Sequence, residues 1–238
     1  MPHIAERVRS LASAFDRLTA RDCVFCGSRR LDGEGLICAG CDAELPRNRP
    51  ACPACAVPLA VPLAQDLRCG SCQLEPLPFT AAVAPLRYEY PVDAAIRRMK
   101  FNAQLYYVPA FRGLMREAYD VLAEEPDAVL PVPLHWRRQA WRGFNQAEEL
   151  AKPLCRETGL PLLRGVRRIR ATPYQSGLDS TARQRNLRDA FAVRGKPTAR
   201  HVLIVDDVIT TGSTAAQLAV CLLESGVESV SVLALARA

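Results

Sequence analysis

The chain has 238 residues, about half of them apolar, which is enough for one domain of ordinary size and a small second one. No apolar run approaches the ~18 residues of a membrane span. Glu6, Arg7 and Arg9 also interrupt any secretory leader, so a cytoplasmic protein without membrane insertion is expected. The net charge of +6 is modest but uneven: residues 130–200 carry fifteen basic and five acidic side chains, whereas residues 1–80 carry nine of each.

In chain order, Ile4, Val8, Leu11, Phe15 and Leu18 recur at steps of four and three residues. That spacing predicts an amphipathic helix within 1–22, docked on the body of the protein. Eight of the ten cysteines then fall into four C-x-x-C pairs: Cys23/Cys26, Cys38/Cys41, Cys52/Cys55 and Cys69/Cys72. In this spacing both thiolates of a tight turn reach one tetrahedral ion, so eight make two closed four-cysteine zinc sites. Pairing in sequence order (23/26 with 38/41, 52/55 with 69/72) is the simplest arrangement, and the sequence does not exclude a cross-braced one. The module expected over 23–78 holds little apolar mass, so metal must supply most of its stability. Cys155 and Cys221 lie within helical patterns and read as small core residues.

From residue 79 onward the pattern is that of a larger domain. A proline-rich connection (Pro76, Pro78) leads into a strand, A-A-V-A-P-L-R-Y-E-Y. Helices are expected from Val92 to Phe101 and from Tyr107 to Glu124. Ala128 to Pro133 reads as a short buried strand that breaks into an arginine-rich loop, L-H-W-R-R-Q-A-W-R-G-F-N-Q. Asn145 with Glu148 forms a capping box that opens a helix from Gln146 to Thr158. Leu162 to Arg170 reads as a basic strand, and a polar, arginine-dense connection follows it. Phe191 to Arg194 is a short strand, and Val227 to Ala236 closes the domain.

The most informative stretch is H-V-L-I-V-D-D-V-I-T-T-G-S-T, from His201 to Thr214. Val202 to Val205 form an apolar run too short for a helix, as in a buried parallel strand. Asp206 and Asp207 follow at its carboxyl end, then Thr210, Thr211, Gly212, Ser213 and Thr214, then a helix that stops at Gly226. Ligands of open α/β sheets bind beyond the carboxyl ends of the strands. A helix opening there aims N–H groups and a positive dipole end at a phosphate. Two carboxylates beside that loop repel phosphate and suit sugar hydroxyls, or a magnesium ion held against them. The implied ligand is a ribose 5-phosphate.

This stretch resembles the phosphoribosyl-pyrophosphate (PRPP) fingerprint of type I phosphoribosyltransferases. The resemblance implies an α/β fold with a parallel sheet flanked by helices, behind a small cysteine-rich double zinc-knuckle module. It places the ribose hydroxyls on Asp206 and Asp207, with magnesium accompanying PRPP, and the 5′-phosphate on Thr210, Thr211, Gly212, Ser213 and Thr214. It also makes Arg137, Arg138 and Arg142 pyrophosphate contacts, since guanidinium forks match phosphate oxygens. Gln175, Ser176, Arg183, Arg185 and Asn186 fall where the family carries a loop that closes over the ligand.

The zinc knuckles, P-V-P-L-H-W-R-R, R-G-F-N-Q-A, T-P-Y-Q-S-G-L, R-Q-R-N-L-R-D-A-F and the fingerprint form one colinear set. Together they are similar to the ComF (competence protein FC-like, GntX-like) family over nearly the whole chain. What that implies is a cytosolic role in natural transformation, acting on incoming single-stranded DNA beside a helicase-like partner. Three readings follow: a phosphoribosyltransferase of unknown acceptor, a non-catalytic PRPP or nucleotide sensor, and a single-stranded DNA adaptor using the basic 130–200 region. No glutaminase domain or N-terminal cysteine nucleophile is evident to supply ammonia, which argues against purine-pathway amidotransfer.

Overall fold

In a computed structural model the described residues are 22–30, 35–64, 67–170 and 190–238. The helix expected before residue 22 and the arginine-dense connection at 171–189, with Gln175, Ser176, Arg183, Arg185 and Asn186, lie outside them. Among the described residues no helix is long and apolar enough to cross a membrane.

The element order is α1 (Ala39–Ala43), α2 (Gly70–Leu74), β1 (Ala81–Val83), β2 (Leu86–Arg87), α3 (Val92–Asn102), α4 (Tyr107–Tyr119), β3 (Ala128–Pro131), α5 (Trp136–Arg142), α6 (Gln146–Thr158), β4 (Val166–Arg168), β5 (Phe191–Val193), β6 (His201–Ile209), α7 (Ser213–Glu224) and β7 (Ser229–Arg237). Five strands form a parallel sheet in the order β1–β7–β6–β3, with β2 continuing β1 along the same edge of β7. The expected parallel sheet flanked by helices, with a cysteine-rich module in front, is the architecture observed.

The centre of the sheet is apolar because both its faces are covered. Side chains alternate across a strand, so Leu203 and Val205 pack with Ile96, Met99, Phe111 and Leu150 of α3, α4 and α6. Val202 and Ile204 face the opposite way, onto Leu218 and Leu222 of α7. The basic strand expected from Leu162 to Arg170 is shorter: only Val166–Arg168 is strand, and it pairs antiparallel with β5 outside the main sheet. Leu162 instead makes a single bridge to Val129. The helix expected to reach Glu124 ends at Tyr119.

The cysteine-rich module covers the free edge of β1 and β2. Arg87 N donates to Pro46 O (2.7 Å), Asn48 N to Pro85 O (2.9 Å) and Ala82 N to Pro53 O (3.2 Å). Asn48 is buried, and its Nδ2 donates to the carbonyls of Ala56 (2.8 Å) and Ala84 (3.1 Å), one in the module and one in the sheet. Phe25 adds an aromatic contact, its ring 5.9 Å from Tyr107 and 6.1 Å from Phe111. A sheet edge left bare would be a template for non-native pairing, and here module backbone occupies it. Replacing Asn48 by Ala leaves two buried carbonyls without donors, a cost of about 2–6 kcal/mol at 1–3 kcal/mol per unsatisfied group. Urea unfolding of Asn48→Ala should show a lower midpoint at an unchanged slope.

Candidate functional site

The site exists because β6 outruns its neighbour. Pairing of β3 with β6 ends at Pro131 and Val205, while β6 continues to Ile209 on β7 alone, with Asp206 opposite Ala234 and Val208 opposite Ala236. The two acids therefore lie inside a strand, not past its end, and the β7 ladder holds their backbone rigid. Beyond Val132, whose N–H bonds Val205 O at 2.8 Å, the neighbouring chain turns away. The crevice this opens is a cavity of about 190 Å³ lined by Asp206, Asp207, Thr210, Thr214, Lys100, Arg138 and Arg168.

The charges in it are tightly interlocked. Lys100, from the last turn of α3, places Nζ 2.6 Å from Oδ2 of Asp207, whose side chain is 5% exposed. The Asp207 N–H donates to Asp206 Oδ1 at 2.8 Å. Loss of hydration pushes the Asp206 carboxyl well above the usual carboxylate range, the charge of Asp207 pushes it further, and Lys100 opposes both. Arg142 is lowered chiefly by burial, with Asp207 opposing, and Arg168 is lowered by burial and by Arg138, with Asp206 opposing. Four cations thus surround two acids.

Of the predicted arginines, Arg138 lines the cavity. Arg142 lies behind it, donating to Gln146 Oε1 at 2.6 Å with its guanidinium 5.6 Å from the centre of the Phe101 ring, and its buried Nε has no partner. Arg137 is exposed and lies over Trp136 at 5.3 Å, outside the cavity lining. The expected arginine loop is in fact helix α5, capped by His135, whose Nδ1 accepts from Arg137 N. Asn145 caps α6 through Ala147 N at 3.1 Å, but Glu148 turns to Lys152 instead of closing a capping box. Phe101 is exposed. Lys100 and Arg168 were legible only as a basic helix end and part of a basic run, with no spacing signal tying either to the acids.

The hydroxyl loop has the expected turn chemistry. Gly212 is left-handed (φ 78°) at the N-cap of α7, a conformation L side chains rarely adopt. Thr211 Oγ1 donates to Ser213 Oγ at 2.9 Å and accepts from Ser213 N at 3.3 Å. Thr210 and Thr214 face the cavity, whereas Thr211, Gly212 and Ser213 are absent from its lining.

The cysteines converge as two groups, Cys23/Cys26/Cys38/Cys41 and Cys52/Cys55/Cys69/Cys72, with all sulfurs of a group within 4.8 Å of one another. The pairing is sequential, and a cross-brace is excluded. Each group has an N–H···S bond at the same place, Cys38 N to Cys23 Sγ (3.4 Å) and Cys69 N to Cys52 Sγ (3.3 Å). Hydrogen bonds from Ser28 bring Cys26 down to about 6. At Cys52 burial opposes ionisation, yet the N–H groups of Cys69, Cys55 and Ala54 bring it to about 7. Cys41 and Cys72 are held above the usual thiol range by burial and by the neighbouring sulfurs. Each group thus sets readily ionised sulfurs beside crowded ones, a strain that one cation shared by four sulfurs relieves, as in a zinc site.

The double zinc ribbon domain family matches residues 14–73. The DNA utilization protein YhgH of Escherichia coli strain K12 is 34% identical over 224 residues, covering 90% of this chain and 96% of that protein. Competence protein F of Haemophilus influenzae is 34% identical over 228 residues, covering 91% and 96%. The chain belongs to the ComF family. Competence protein ComFC of Bacillus subtilis, at 27% identity over 198 residues and 80% of this chain, is a more distant ComF relative.

The raised Asp206 carboxyl gives this ComF protein a pH signature. The native state holds a proton that the unfolded chain releases near pH 4. The stabilisation is full below that value and is lost as pH rises through the raised native value. Asp206→Asn should therefore melt higher than wild type at pH 7, by about 2–4 °C for each kcal/mol recovered. The gap should close as pH falls toward 4, which thermal unfolding at pH 4, 5.5 and 7 measures.

Proposed function

We propose that this ComF protein binds PRPP in the Asp206–Asp207 cavity and acts in the cytosol in handling DNA during competence. The observation carrying the reading is that two carboxylates, Thr210 and Thr214 of the hydroxyl loop, and the cations Lys100, Arg138 and Arg168 share one crevice at the end of β6. Asp206 and Asp207 would accept hydrogen bonds from the ribose hydroxyls. Thr210, Thr214 and the first-turn N–H groups of α7 would hold the 5′-phosphate. Arg138 and Arg168 would take the pyrophosphate, and the unpartnered Nε of Arg142 offers a further donor behind them. Magnesium bound with PRPP would neutralise pyrophosphate charge. Asp207 Oδ2 is held by Lys100 and Asp206 Oδ1 by the Asp207 N–H, so magnesium would meet the other oxygen of either acid.

Transfer, in this reading, is attack of a nitrogen nucleophile on C1 of the ribose. The C1–O bond breaks, and its electron pair leaves with pyrophosphate onto the arginines. Calorimetric titration of PRPP with magnesium should give micromolar binding by wild type and a loss of at least 100-fold in Asp206→Asn/Asp207→Asn. No binding by wild type would overturn the reading.

A second reading, a single-stranded DNA adaptor, is favoured by one observation. Trp136 and Trp141 are 65% and 71% exposed on α5, beside Arg137 and Arg138. Exposed rings among cations suit stacked bases and phosphates. On this reading Trp136→Ala/Trp141→Ala weakens oligonucleotide binding by about 10-fold or more and leaves PRPP affinity in place. Fluorescence titration of both ligands separates the two readings, and oligonucleotide binding should weaken steeply with salt.

A further inference from the structure

Arg237 ends β7, and its guanidinium joins two places that the sequence keeps far apart. Nε donates to the backbone carbonyl of Cys55 at 3.1 Å, across 182 positions. Nη1 donates to the carbonyl of Ile209 at 3.3 Å and to that of Thr210. Cys55 belongs to the second cysteine group, and Thr210 opens the hydroxyl loop and lines the cavity. One rigid fork therefore spans from a metal knuckle to the phosphate loop.

Both ends of the fork are themselves constrained. The knuckle carbonyl belongs to a turn closed by Ala56 N to Cys52 O (2.8 Å) and Cys52 N to Val57 O (2.9 Å), with Ala56 left-handed at φ 57°. Four thiolates on one ion would fix that turn further, since a tetrahedral site sets the orientation of each ligand's peptide. At the other end Ile209 is paired with Arg237 in the sheet, and its carbonyl also accepts from Ala238 N at 2.9 Å. The loop from Thr210 to Ser213 thus leaves an anchored point whose direction Arg237 sets. A planar guanidinium holds such carbonyls in fixed relative geometry, which a lysine ammonium, a single rotatable point charge, does not reproduce.

We infer that Arg237 is a positioning residue that couples zinc in the second cysteine group to the 5′-phosphate loop, so that each site binds its ligand more tightly when the other is filled. The inference rests on the phosphoribosyl reading of the loop. The first group has no such link through Arg237, so it serves as an internal reference. Coupling between sites is reciprocal in binding free energy and typically amounts to 5–150-fold.

The test uses the full zinc-loaded chain and ribose 5-phosphate, which carries the phosphate the loop would hold and chelates metal less strongly than a pyrophosphate. Zinc affinity of both sites is measured at equilibrium against a chromogenic chelator, with and without saturating ribose 5-phosphate. Wild type should show one of its two zinc equivalents held at least 5-fold more tightly with the sugar phosphate, and the other unchanged. Arg237→Lys and Arg237→Met, checked for an intact fold by circular dichroism, should both lose the difference and bind ribose 5-phosphate more weakly. If PRPP binds but ribose 5-phosphate shifts neither zinc, or both equally, the coupling is overturned while the site assignment stands. A shift that survives in both variants removes Arg237 from it. No PRPP binding by wild type overturns the phosphoribosyl reading itself, and the coupling with it.

Discussion

Everything distinctive about the site follows from one mismatch in strand length. β6 pairs with β3 only as far as Val205 but with β7 as far as Ile209. Four residues, Asp206 to Ile209, are therefore held on one edge by a regular ladder and open on the other. Backbone rigidity and side-chain access are usually in conflict, because a fully paired central strand is buried on every side. Here the conflict is resolved by stopping one neighbour early. Successive side chains point to opposite faces, so adjacent acids in a closed sheet would part company. At this open edge both reach the same crevice.

The arrangement has an electrostatic cost that the surroundings partly offset. Carboxyl groups on two successive residues of a desolvated strand repel when both are charged, and the bond from the Asp207 backbone N–H to Asp206 Oδ1 offsets only part of this. Lys100 relieves Asp207 directly, while Arg142 and Arg168 act at longer range on Asp207 and Asp206 respectively. The cations pay in turn, since burial and Arg138 lower both Arg142 and Arg168. A polyanion with hydroxyl groups would answer both sets of demands at once, giving the acids donors and the arginines acceptors. A ligand-free site with such frustrated charges is poorer in stability than a neutral one would be, and that is the pattern expected where binding energy is concentrated.

The cysteine-rich module does more than hold metal. Its 46–53 segment completes hydrogen bonding along β1 and β2, where Pro85 would otherwise leave an irregular and exposed edge. Small, glycine- and proline-rich and poor in apolar mass, it has little means of holding that segment in place by packing alone. Zinc held by the cysteine groups would supply the rigidity, and the buried Asn48 side chain fastens the segment to the sheet. The second group is the better buried of the two, with Cys52 and Cys72 in a small cluster of their own, whereas Cys26 of the first is exposed.

Much of this was legible in the sequence, for reasons that are local. Thiolate spacing in C-x-x-C pairs, apolar runs bounded by turns, Asn145 at a helix start and Gly212 before α7 all express constraints acting over a few residues. The acids and the hydroxyl loop are contiguous, so the pattern that announces them is contiguous too. Tertiary structure alone decided what depends on distant segments meeting. It brought Lys100 from α3 and Arg168 from β4 to the acids, turned Arg137 outward while Arg138 turned in, and set Arg237 between Cys55 and Thr210. It also let β6 run past its acids, because the length of a strand is fixed by the partners beside it, and those partners lie elsewhere in the chain.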